Sequence, residues 1–276
     1  MKGAASMNEI FSMTNSTELI ELNGKKYILR TPGTGTSELI DRHQEHEVYK
    51  EIMPYMISDE VLYFNENSGI KIARYIENCH NCNSRNVEDV TVAMKAIRHL
   101  HDLDLKVDFE FNLKEKIDFY ERLMVASKYK DYEETKNDVM FLLNAIDGWV
   151  KERCLCHIDP NQDNILIDNN THEVKAIVDW EYAAMQDPLI DVAMFCIYAG
   201  YNKEEIDSTF RVYYEDVKPS QKTYALYYIY IAACGLLWSN WCEYKNHLGQ
   251  SFGGTYEQSQ YDYAKQFAKI AREMIK

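Results

Sequence analysis

The sequence predicts an α+β chain in two parts, a small β-rich region over 7–80 and a larger, mostly helical region over 81–276. Three observations predict it. Two hairpin signals flank one helical pattern before residue 80, a polar stretch (ENCHNCNSRN, 77–86) interrupts the apolar periodicity, and long helical patterns dominate the rest of the chain.

In order along the chain, TELIELNGKKYILR at 17–30 reads as two short strands around Asn23-Gly24. That dipeptide adopts positive φ readily, which a two-residue hairpin turn requires. Leu39, Ile40, Val48 and Ile52 recur at helical spacing behind Ser37, a good capping residue, so a helix is expected over 37–52. VLYFNENSGIKIARYI at 61–76 supplies a second strand pair, turning near Asn67-Ser68-Gly69. Beyond the polar break, helices are expected over 87–102, 112–127 and 135–153. A short β island comes next, near 154–157, 164–168 and 173–178, and the remainder is helical, closing with 220–245 and 256–275. No internal repeat or low-complexity run is evident.

At 276 residues, with 46% hydrophobic and 27% charged, the chain has the length and composition of a globular protein with a substantial core. No apolar run is long enough to cross a bilayer. Asp and Glu outnumber Lys and Arg by 44 to 30, a net charge of −14, which disfavours nucleic acid and anionic membranes as partners and favours cationic ligands. The seven cysteines are odd in number and no secretory leader pattern precedes them, so reduced thiols and a cytoplasmic location are expected. Cys79-His80-Asn81-Cys82, and Cys154 and Cys156 with His157, carry metal-ligating residue types. Neither group supplies four well-placed ligands, and alternate cysteines on a strand simply share a face, so no structural metal is expected.

The densest polar stretch is CLCHIDPNQDNILID, 154–168, set between apolar runs. His157, Asp159 and Asn164 fit the pattern H-x-D-x-x-x-x-N, and fifteen residues after Asn164 an apolar strand, AIVDWE, delivers Asp179 and Glu181. Phosphoryl transfer needs such a set: one carboxylate, here Asp159, to receive the nucleophile's proton, and an amide oxygen and second carboxylate, here Asn164 and Asp179, to hold magnesium against nucleotide phosphates. A polar turn whose Asp and Asn cap their own backbone explains any one of these residues, but not their joint spacing between two apolar strands.

These motifs, and the order of elements around them, resemble the choline kinase and aminoglycoside phosphotransferase group over nearly the whole chain. The resemblance implies a bilobal protein kinase-like fold, with a nucleotide-binding lobe over 7–80 and a catalytic and substrate-binding lobe over 81–276. It makes His157 a structural hydrogen-bonding residue of the catalytic loop and Asp191 its brace. IVDWEYAAMQDPLIDVA, 177–193, is similar to the choline kinase version, where an acidic residue and Tyr follow the metal-binding Asp. By the same resemblance Arg30, in KYILR, contacts the phosphates, and Glu45 pairs with it, with Glu47 as the alternative. The phosphate loop matches FSMTNS, 11–16, placing Ser12, Thr14 and Asn15 at ATP, although the glycine pair usual in the family is missing. Tyr75, Ile76 and Glu77 form the linker expected to hold adenine through backbone groups.

Tyr227, Cys234, Trp238 and Trp241 share one face of the helical pattern at 223–245. An aromatic stripe at this spacing is ordinarily core. W-x-x-W followed by Tyr and Lys, then FGGTY, resembles the choline pocket of bacterial choline kinases, which implies a box of Trp238, Trp241 and Tyr182, with Glu181 nearby and Tyr256 as a further ring. Eukaryotic relatives place another Trp where this chain has Gly235. The function expected is transfer of the γ-phosphate of ATP, with Mg2+, to the hydroxyl of choline. Ethanolamine becomes the acceptor if Trp241 packs into the core instead. An aminoglycoside phosphotransferase, and a non-catalytic kinase homologue that binds a quaternary amine, are the alternatives.

Overall fold

The computed structural model describes residues 8–10, 15–33, 35–149, 153–215 and 217–276. Its N-terminal part is a five-stranded antiparallel sheet of β1 (Asn8–Ile10), β2 (Asn15–Leu22), β3 (Lys25–Pro32), β4 (Val61–Phe64) and β5 (Lys71–Arg74), ordered β1-β2-β3-β5-β4. Asn23 and Gly24 turn the β2–β3 hairpin with φ of 54° and 72°, as a type I′ turn demands. Helix α1 runs over Arg42–Ile52, later than the 37–52 expected. Residues Thr36–Glu38 form a separate 3-10 turn. Asp41 is the true cap, its carboxylate accepting the N–H groups of His43 and Gln44.

The polar stretch after residue 77 is more than a connection. Cys79–Asn81 forms β6, which pairs with β8 (Ile165–Asp168), itself paired with β9 (Val174–Ile177). Three polar-flanked residues carry no strand periodicity of their own, and their ladder partners lie more than eighty residues away. Helices α2 (Val87–Asp102), α3 (Leu113–Met124) and α4 (Tyr132–Ala145) follow, α2 and α3 capped by Asn86 and Asn112. The helix expected over 135–153 therefore starts and stops earlier. Strand β7 (Cys154–Cys156) pairs with β10 (Ala184–Gln186), and the chain closes with α5 (Leu189–Tyr198), α6 (Lys203–Tyr213), α7 (Gln221–His247) and α8 (Gly254–Met274).

Helix α7 is the core of the larger lobe: every residue from Tyr227 to Lys245 is buried, beneath α3, α4, α5 and α8. Gly235 allows the closest crossing, because a Cβ there would lie 2.8 Å from both the Gln260 carbonyl and the Tyr263 Cβ on α8. A tryptophan at this position is sterically impossible in this packing. Among the described residues, no helix is long and apolar enough to cross a membrane.

Candidate active site

The β7–β8 connection carries His157, Asp159, Asn161 and Asn164 at the junction of the two lobes. Its backbone turns sharply, with Ile158 at φ 69° and Asp179, across the site, at φ 67°. Both values are unusual for residues with a Cβ and have to be held by surrounding bonds. Asp191, in the first turn of α5 and fully buried, supplies those around Ile158: Oδ2 accepts the N–H of His157 at 2.8 Å and Oδ1 that of Ile158 at 2.7 Å. The same Oδ2 lies 3.0 Å from His101 Nε2. Burial holds the His157 imidazole below its usual pKa, and in the neutral ring Nε2 donates to the Val178 carbonyl at 3.0 Å.

Asp159 is gripped by two amides. Asn164 Nδ2 donates to the Asp159 carbonyl at 2.9 Å and to its carboxylate Oδ2 at 3.2 Å, and Asn161 Nδ2 lies 3.4 Å from both carboxylate oxygens. Burial pushes the Asp159 carboxyl up to about 7, the charges of Asp179 and Glu181 adding to the rise while Tyr198 and Asn161 oppose it. Such a group is poised to take a proton near neutrality.

Asp159, Asn164 and Asp179 line a cavity of about 550 Å3 together with Arg30, Tyr75, Ile76 and Trp238. On the sheet side Arg30 donates from Nη2 to Glu45 Oε2 at 2.9 Å and from Nη1 to Glu45 Oε1, and Nη1 reaches Asp179 Oδ1 at 3.2 Å. Glu45 is fully buried, whereas Glu47 pairs with Lys50 at the surface, so Glu45 is the residue facing Arg30. Arg42, which sequence reasoning missed, completes the network: Nη1 donates to Glu45 Oε2 at 2.8 Å and Glu181 Oε2 at 3.0 Å, and Nη2 to Asn15 Oδ1 at 3.3 Å. Its only signal was the i,i+3 spacing to Glu45 in the first turn of a helix.

The residues at the cleft fit a divalent cation. Asn164 spends its amide nitrogen on Asp159, which leaves Oδ1 for a metal, and Asp179 is open to the cavity with its side chain 23% exposed. The donors are hard oxygens, the type Mg2+ prefers. Two guanidinium groups, Arg30 and Arg42, face three carboxylates, those of Glu45, Asp179 and Glu181, so full ionisation of the three, which a bound cation favours, leaves the cluster net negative.

Other expected site residues stand differently. Glu181 is tied to Asn15, whose Nδ2 donates to its Oε2 at 2.9 Å, as well as to Arg42; it joins the arginine network rather than standing as a free carboxylate beside the tryptophans. Burial pushes its carboxyl up to about 7, helped by Asp179 and opposed by Arg30 and Arg42. Trp238 and Trp241 stack on each other, centroids 4.3 Å apart and planes within 6°. Phe252 covers the far face of Trp241 at 5.1 Å, so this ring, 1% exposed, offers neither face to a ligand. Trp238 instead meets Tyr198 edge-on at 4.8 Å and donates from Nε1 to the Tyr256 hydroxyl at 2.9 Å. Tyr182 is buried near Trp241, Tyr120 and Asp159. Tyr198, beside Asp159, went unrecognised although it lies seven residues after Asp191, on the same face of α5. Ser12 and Thr14 lie outside the described residues.

A family model described as the phosphotransferase enzyme family matches residues 84–223, half of the chain and the whole catalytic loop. The chain belongs to the phosphotransferase enzyme family. Among curated proteins, LicA of Haemophilus influenzae is 26% identical over 255 residues, covering 87% of this chain and 93% of that protein. Among solved structures, choline kinase LicA from Streptococcus pneumoniae superposes with a TM-score of 0.83 at 25% identity, covering 96% of this chain and 93% of that one. A choline/ethanolamine kinase family protein from Mesorhizobium loti gives 0.81 at 22% identity, covering 98% and 92%. The kinase-like fold and the family resemblance read from the motifs are thus both borne out. The fold is also similar to that of an aminoglycoside phosphotransferase, APH(4)-Ia, with a TM-score of 0.67 at 16% identity, covering 99% of this chain and 95% of that one.

Proposed function

We propose that this phosphotransferase is an ATP-dependent choline kinase, producing phosphocholine and ADP. The observation that carries the reading is that Trp238 lines the same cavity as Asp159, Asn164 and Asp179. A quaternary ammonium cannot donate hydrogen bonds and is held by aromatic faces, each contributing about 1 kcal/mol when desolvated. Trp238, walled by Tyr198 and Tyr256, supplies such a surface next to the base. The choline kinase LicA likeness supports the same acceptor, and a related LicA structure holds AMP.

In the reaction, Asp159 accepts the proton of the choline hydroxyl as its oxygen forms a bond to the γ-phosphorus, and the bond to the β-bridging oxygen breaks to release ADP. Asn161 and Asn164 hold the carboxylate toward that hydroxyl. Asn164 and Asp179 would hold Mg2+, which when bound neutralises phosphate charge. Arg30, locked by Glu45, contacts the phosphates from the sheet, with Ser12 and Thr14 in the phosphate loop, Asn15 where that loop enters β2, and Tyr75 and Ile76 at the adenine. Residues 7–80 serve as the nucleotide lobe and 81–276 as the catalytic and acceptor lobe, in a cytoplasmic enzyme.

One observation favours a second acceptor. Trp241 is closed on both faces, which reduces the aromatic surface and suits the smaller ammonium of ethanolamine. ADP release from Mg-ATP, measured against choline, ethanolamine and an aminoglycoside panel with Asp159→Asn as blank, separates these. Turnover on choline above the others is expected. Activity confined to ethanolamine or an aminoglycoside would discard the choline assignment, and no turnover with retained choline binding would select a binding protein.

A further inference from the structure

On the far side of β6 from the nucleotide cavity, His172 meets two side chains that lie nine positions apart, His80 and Asp89. Cys79 and Asn81 of β6 face the cavity, and His80, by strand alternation, points the other way. There His80 Nε2 lies 3.4 Å from Asp89 Oδ2, and His172 Nε2 lies 3.4 Å from Asp89 Oδ1. Asp89 sits in the first turn of α2 and its side chain is 2% exposed, while His172 occupies the β8–β9 turn at φ 54°. All three ligand atoms fall within 4.8 Å of one another.

The bonding of these groups points to a missing partner. Asp89 Oδ2 accepts the Asn83 N–H at 2.8 Å, but Oδ1 is buried without a hydrogen bond, and so is His172 Nε2. A buried carboxylate oxygen facing a buried imidazole nitrogen without a bond between them costs stability unless something else joins them. The 3.4 Å separations are long for charge-assisted hydrogen bonds, which close to about 2.7–2.9 Å. Ligands about 2.0–2.1 Å from a zinc ion lie about 3.3 Å apart, so each imidazole nitrogen stands from the carboxylate oxygen it faces, His80 from Oδ2 and His172 from Oδ1, at the separation of two ligands sharing one ion. His80 Nδ1 is 2.7 Å from Asn169 Oδ1, an acceptor, so the ring proton sits on Nδ1 and Nε2 presents its lone pair to the cluster. Metal-ligating histidines are ordinarily fixed by such a bond on the other nitrogen.

We propose that His80, Asp89 and His172 form a site for a borderline divalent transition metal, Zn2+ foremost, with water as fourth ligand. This is a second site, independent of the catalytic cation: two imidazoles select zinc over magnesium. It pins β6, which directly follows the Tyr75–Glu77 linker, to α2 and the β8–β9 turn, and so steadies the floor of the nucleotide cavity through Cys79 and Asn81. The buried group His101, Cys154 and Cys156 is a poorer candidate, because His101 is already bonded to Tyr213 and Asp191.

The test is titration of the chelator-stripped 276-residue protein with ZnCl2 by calorimetry, and with Co2+ for the visible absorption of a tetrahedral site. One zinc per chain is expected, with a rise in Tm of several degrees at about a hundredfold excess over Kd. His80→Ala and His172→Ala, at half-exposed positions that leave the fold intact, each weaken binding by about a hundredfold or more, and Asn169→Ala by roughly 10- to 100-fold. Asp179→Asn, and Cys154→Ser with Cys156→Ser, retain it. Wild-type protein that binds no zinc, histidine variants with unchanged affinity, or loss confined to Asp179→Asn would each overturn the proposal.

Discussion

Asp191 Oδ1 accepts the backbone N–H of Ile158 at 2.7 Å, holding a β-branched residue at φ 69° one position before the candidate base. A β-branched residue gains nothing by itself from positive φ, and the conformation costs about 1–3 kcal/mol. The buried carboxylate offsets that cost and sets the direction in which Asp159 points.

Asp191→Ala should therefore lose both stability and turnover. Removal leaves the N–H groups of His157 and Ile158 and the Nε2 of His101 without their acceptor, a penalty of about 3–5 kcal/mol. Urea denaturation measures the first loss. A fall in kcat of about 10- to 100-fold at unchanged ATP affinity measures the second, and normal kcat in the folded fraction would show that the loop holds its shape without the brace.

Asp159→Asn should separate stability from activity. The folded pKa of Asp159 is raised from 3.8 to about 7, so its ionisation works against folding: the penalty is absent below about pH 4 and grows as pH rises through 7. At pH 8 the Asn variant should match or exceed the wild type in stability while kcat falls roughly 10^2- to 10^4-fold. A variant less stable than wild type at pH 8 but equal at pH 4 would contradict the buried-base reading.

The acid limb of kcat/KM should lie near pH 7, because the free enzyme must lose the Asp159 proton before it can accept another. Glu181→Gln removes a negative neighbour, so the limb should move to lower pH. A limb that stays in place would mean that another group controls it.

The two stacked tryptophans should fail in different ways. Trp238→Ala should raise the KM for the cationic alcohol about tenfold with little change in that for ATP, the loss of one or two cation–ring contacts. Trp241→Ala, emptying a site closed by Trp238 and Phe252, should cost about 3–5 kcal/mol of stability, read by thermal or urea unfolding. Equal effects of both substitutions on KM alone would place both rings at the ligand.

The sequence by itself determined the parts that depend on neighbours a few residues apart. Asn23-Gly24 specified its hairpin through turn chemistry, helical spacing marked Val87–Asp102 to the residue, and His157, Asp159, Asn164 and Asp179 were legible as a spaced set because their separations in the chain are short. Tertiary structure decided what depends on docking. Strand β6 exists through pairing with β8, Arg42 meets Glu181 across 139 positions, and Glu181 reaches Asn15 across 166. Nothing in the local pattern of α7 distinguishes a tryptophan facing the cavity from one sealed in the core, since Trp238 and Trp241 lie less than one turn apart. Phe252, arriving from the α7–α8 connection, closes one ring and leaves the other at the cavity, a choice made by how the helices and their loop pack.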